Sequence, residues 1–175
     1  MKTWKKVVLA IAAVPVAFLA FATWYLVHYS MAPAKPFEVN HTEAREHVLI
    51  ATQGSAFKDA VVLGVVDRLE HRAAHVKVID VASLSDVREA DWNAVVVLHT
   101  WEMSEPPPAV RRFVERTQSR DKLVVLATSG EGTQHIAGID TITSASEMSK
   151  APALADQVVS RVEKVLAAQS PQTSR

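Results

Sequence analysis

Short, unbroken apolar runs alternate along this chain with segments whose apolar residues recur at helical spacing. The unbroken runs are Val48 to Ala51, Ala94 to Leu98 and Leu123 to Ala127, and Val76 to Val81, interrupted by Lys77 and Asp80, reads as a further strand. Runs of this length without polar alternation read as strands covered on both faces. Phe57, Val61, Val65 and Leu69 mark a helix after the first run, and Leu154, Val158, Val162 and Leu166 mark a closing one. Pro106, Pro107 and Pro108 set the entry of a further helix carrying Val110, Phe113 and Val114, because proline is tolerated in a first turn. Ile139 to Thr143 supplies a short fifth strand. This order predicts an α/β domain with a five-stranded, mostly parallel sheet, helices on both faces and right-handed crossovers.

Ahead of the domain, residues Val7 to Val27 carry no charge, and a helix of that length crosses a hydrocarbon core about 30 Å thick. The run predicts one transmembrane helix that meets the lipid bilayer through residues 7–27. Trp4, Trp24, Tyr25 and Tyr29 flank it at interfacial depth, and Pro15 lies inside it. Lys2, Lys5 and Lys6 precede the run, and the next fixed positive charge is Lys35. The positive-inside tendency then predicts a single-pass membrane protein with its C-terminal domain outside the cytoplasm. The rival reading is a cleaved signal peptide ending at Ala32-Pro33-Ala34, and the length of the apolar core favours retention. The expected organisation is residues 1–30 as cytoplasmic start and anchor, 31–45 as linker, 46–168 as domain and 169–175 as a polar, flexible tail.

Beyond the anchor about 140 residues remain, enough for one domain and too few for a second. Basic and acidic residues balance at nineteen each, and removing the lysines before the anchor leaves a slight acidic excess. Nucleic acid is therefore not an expected partner. The absence of cysteine excludes disulfides, thiolate metal sites and cysteine lipidation. Redox chemistry would need a cofactor.

In a parallel sheet of this kind the loops after strands one, three and four converge where the strand order changes. Here they begin at Thr52, His99 and Thr128. The segment Ala51 to Lys58 reads as a turn leading into a helix N-terminus, where backbone N–H groups and the helix dipole suit an anion. The same geometry also caps a helix that binds nothing.

At these residues the chain resembles the flavodoxin-like superfamily, including its flavodoxins and FMN-dependent quinone reductases. His99-Thr100-Trp101 looks like that family's third-strand ending, and Asp91-Trp92-Asn93-Ala94 like its lead-in. Ser129-Gly130-Glu131-Gly132 resembles the glycine-rich segment after strand four. The resemblance covers Glu46 to Leu166 and implies a three-layer sandwich. In the family's phosphate loop Thr52 and Gly54 match, while Gln53 and Ala56 stand where hydroxyls are expected. Ser55 and Lys58 would be replacement donors, with Lys58 supplying a charge or remaining a solvated helix residue.

The resemblance implies FMN held by Thr52, Gly54, Ser55, Lys58, His99, Thr100, Trp101, Ser129, Gly130 and Gly132. It implies electron transfer or quinone reduction, with a quinone or a redox protein as partner. The alternative is a cofactor-free domain acting as a membrane-tethered interaction or structural module. Trp101 either stacks on the flavin or anchors a loop to the core. Glu102 and Met103 join His99 and Thr100 around the ring, and His135 lies near the same loops. No catalytic residue is assigned. Ser129, His135 and Asp140 offer the residue types of a hydrolase without the strand-to-helix elbow that chemistry needs. His71 and His75 lack a third metal ligand. Trp92, Asp80 and Asp91 read as structural, and Arg111 and Arg112 as the wet face of a helix.

Overall fold

The computed structural model describes residues 3–29, 31–40, 43–72, 74–102 and 104–169. Met103 and the tail beyond residue 169 lie outside them. Two compact units are present, Met1–Met31 and Ala32–Arg175.

The first unit is a helix, α1 (Thr3–Tyr29), with Pro15 inside it. Among the described residues no helix is long and apolar enough to cross a membrane.

The second unit is built on a sheet whose strands are β1 (Ala32–Pro33), β2 (Phe37–Val39), β3 (His47–Gly54), β4 (His75–Asp80), β5 (Ala94–Thr100), β6 (Leu123–Thr128) and β7 (Thr141–Ser144). Five run parallel in the order β4-β3-β5-β6-β7. The expected five-stranded sheet is corrected to seven strands, because two short antiparallel strands come from the stretch expected to be linker. β1 lies on the end of β3, with Ala32 opposite Gly54 and Pro33 opposite Gln53. β2 runs down the outer side of β4, with Phe37 opposite Val78 and Val39 opposite Val76.

Side chains alternate across β3 and β5 and so divide the interior into two layers. Val48, Ile50, Val96 and Leu98 face α2 (Ala56–Glu70) and α4 (Ala151–Gln169). Leu49, Ala51, Val95 and Val97 face α3 (Pro108–Arg116) and the 3-10 turn at Val81–Asp86. Burial on both sides explains why these strands carry no polar alternation. The α3 layer is thin: the β4–β5 connection makes 3-10 turns, and the β6–β7 connection has no helix. Val87, Trp92, Ile136 and Ile139 pack against that layer instead. Arg116 ties the 3-10 turn to α3 through the carbonyls of Leu84 and Val87.

Candidate functional site at the carboxyl edge of the sheet

The three convergent loops do meet at the carboxyl edge, but the first is shorter than the sequence suggested. Thr52, Gln53 and Gly54 belong to β3, and helix α2 begins at Ala56. Only Ser55 lies between them. Pairing with β1 carries β3 on through Gly54, which is why the segment is strand and not loop. The Ser55 side chain is spent as the α2 N-cap, its Oγ accepting from the Lys58 N–H at 3.2 Å. The Thr52 hydroxyl, buried, donates to the Gln53 carbonyl at 3.1 Å.

Lys58 is not a solvated helix residue. It is 1% exposed, and its ammonium donates to Thr100 Oγ1 at 2.6 Å. Thr100 Oγ1 lies 2.9 Å from Thr128 Oγ1, and the Thr128 hydroxyl donates to the His99 carbonyl at 3.3 Å. One donor direction satisfies this row: ammonium to Thr100, Thr100 to Thr128, Thr128 to carbonyl. Among the described residues no carboxylate stands within ion-pair distance of Lys58. Loss of hydration pushes its pKa down to about 8, while the negative charges of Glu102 and Asp59 pull weakly the other way.

Gln53, expected only as a missing hydroxyl, links two strands. Its Oε1 accepts from the Thr100 N–H at 2.7 Å and its Nε2 donates to Glu102 at 2.9 Å. Neither contact had a local sequence signal, since both join residues far apart in the chain.

His99 and Trp101 point into the α3 layer, two residues apart on β5 and its exit, with ring centroids 6.2 Å apart. His99 is wholly buried. Desolvation, helped by the Lys58 charge and opposed by the Thr100 backbone, lowers its pKa to about 4. The Trp101 indole nitrogen is buried without a hydrogen-bond partner, and the buried His99 imidazole has only the Thr100 backbone beside it. Such groups cost stability unless something pairs with them. Trp101 also lines a cavity of about 380 Å³ bounded by Pro106, Arg111, Arg120, His135 and Ile136. Its backbone N–H donates to the Thr128 carbonyl at 2.8 Å.

The third loop is tied to β7. The Ser129 N–H donates to the Ser144 carbonyl at 3.2 Å, and Ser129 Oγ accepts from the Gly132 N–H at 2.9 Å. Gly132 has φ +70°, and a Cβ there would stand 2.6 Å from the Ala145 nitrogen. Gly130 faces open space.

No protein-family model and no curated relative matches the chain. Among solved structures, a metal-soaked flavodiiron core from Synechocystis superposes with a TM-score of 0.54 at 10% identity, over 73% of this chain and 38% of that one. The chain thus spans well under half the length of that protein. The fold is flavodoxin-like. A flavodoxin from the domain Archaea aligns at 0.48 and 13% identity, over 68% of this chain and 98% of that one. An oxidoreductase from Corynebacterium diphtheriae aligns at 0.49 and 11%, over 73% and 100%.

The two sides of the crevice differ in how their residues would suit the FMN that the sequence resemblance implies. The ring side suits it better: Trp101 lines a cavity between the second and third loops, and its buried indole N–H has no hydrogen-bond partner. With β1 seated, the phosphate side does not. The Ala32 and Pro33 carbonyl oxygens both stand 2.7 Å from where a Gly54 Cβ would be, and carbonyl oxygens repel a phosphate. Ser55, Thr52 and Lys58 are committed to internal partners.

Proposed function

We propose that this chain is a membrane-anchored, flavodoxin-fold redox domain that takes FMN at the carboxyl edge of its sheet. The observation that carries the reading is the buried, partnerless indole N–H of Trp101 beside the buried imidazole of His99, at the switch in strand order where α/β sheets bind ligands. FMN would supply one- and two-electron transfer, with a quinone or a redox protein as the exchange partner. Trp101 offers the ring an aromatic face and a hydrogen-bond donor. Buried His99 stays neutral at physiological pH and adds no charge beside it.

The anchoring reading is supported by the uncharged run Val7–Val27 within a helix of 27 residues, about 40 Å long. The charge bias around it favours an external domain.

A second reading, a cofactor-free interaction or structural module, is favoured by the closed phosphate side and by the internal use of Lys58. Titration of the full-length protein with FMN up to millimolar concentration, followed by flavin fluorescence, separates the two. The first reading expects saturable binding that Trp101→Ala weakens at least tenfold with circular dichroism unchanged. Absence of saturation would leave the cofactor-free reading.

A further inference from the structure

We propose that β1 is a strap that closes the phosphate side of the crevice and competes with the FMN phosphate for it. The inference rests on the flavin reading and adds a control to that same site. Chain direction gives the first argument. The polypeptide leaves α1, lies antiparallel across the end of β3, passes the end of β4 and then runs down the β4 edge as β2. It therefore crosses the carboxyl edge of the sheet just where the first convergent loop would open.

The contacts give the second argument. Gly54 is the one residue type that admits this crossing, because any Cβ would meet two strap carbonyls. Ala34, buried, donates its N–H to Asp80 Oδ2 at 2.7 Å, while Asp80 Oδ1 accepts from the Ala82 N–H at 2.8 Å. Asp80 thus latches the strap and caps the turn after β4 with one carboxylate. A phosphate at Gly54–Ser55 and the strap carbonyls cannot share the place.

The attachment is slight, which makes it displaceable. β1 is two residues long, and Pro33 has no N–H to give to the ladder. A cleft of about 490 Å³ lies beside it, lined by Ala32, Pro33, Lys35, Ser55, Asp59 and Leu63 among others, so the strap is not packed flush against α2. A site open only part of the time shows an affinity reduced by the open fraction.

The chain has no cysteine, so a reversible lock can be built on Pro33 and Gln53, which face each other in register. Full-length protein carrying Pro33→Cys and Gln53→Cys is titrated with FMN in its oxidised and reduced states. Comparing one variant with itself cancels the loss of the Gln53 side chain. The expected result is binding in the reduced state and at least tenfold weaker binding in the oxidised one. Asp80→Ala, which removes the latch, should tighten FMN binding severalfold with circular dichroism retained. Equal affinity in both redox states overturns the strap and leaves the flavin reading standing. No saturation in wild type, Asp80→Ala or either redox state overturns the flavin reading itself, and the strap loses its competitor.

Discussion

His99 binds no proton in the folded chain until the pH nears 4, whereas in the unfolded chain it titrates near 6.5. Between those values only the unfolded chain takes up the proton, so stability is full above 6.5 and falls as the pH drops toward 4. The shift corresponds to roughly 3 kcal/mol. Urea midpoints measured at pH 7 and pH 4.5 should therefore diverge in the wild type and converge in His99→Leu. Lys58 follows the same rule in another window. Its folded pKa of about 8 lies below its ordinary 10.5, so the folded chain sheds its proton first and stability rises with pH between the two. At pH 7 the charge is carried buried and without a carboxylate partner. Lys58→Met should match or exceed the wild type there by about 1–3 kcal/mol, and the alkaline rise should vanish. A clear loss of stability in Lys58→Met would show that the hydroxyl row repays the burial. Lys58 had a legible signal, since it falls on the stripe of Val61, Val62 and Val65 that α2 buries. His99 had one too, as a polar residue ending a strand buried on both faces. Their partners had none, because Thr100 and Thr128 come from strands that only the sheet brings together.

At the scale of elements, the parallel strands and the three helices of the domain were legible wherever burial imposed a local pattern. α4 buries Leu154, Val158, Val162 and Leu166 as its spacing required. β1 and β2 were not legible. Ala-Pro and Phe-Glu-Val have no periodicity, and their strand character comes from pairing with residues far along the chain. The glycine-rich third loop was read as one flexible unit, yet its glycines differ. Gly132→Ala places a Cβ against β7 backbone at positive φ and should cost about 1–3 kcal/mol. Gly130→Ala meets nothing within 4 Å and should stay within about 0.5 kcal/mol of wild type. Thermal melts of the pair would test this, and equal losses would mean the loop is not held against Ser144 and Ala145.

For the whole molecule, the fold class followed from the order of strands and helices, while the closure of the crevice depended on a crossing that no run of residues announces. Protease added to sealed, right-side-out cells should digest the C-terminal domain, and alkaline carbonate should leave the chain with the membrane. A protected domain would reverse the orientation, and release by carbonate would remove the anchor. The proposed anchor would confine the chain to a surface at high local concentration, where an open strand edge is a template for uncontrolled joining. The sheet offers little of one. β2 is three residues long with Glu38 paired to Lys77 at 2.6 Å, and β7 at the opposite edge is four residues long. Edges this short, one of them bearing charge, let the domain crowd without its sheets fusing into aggregates.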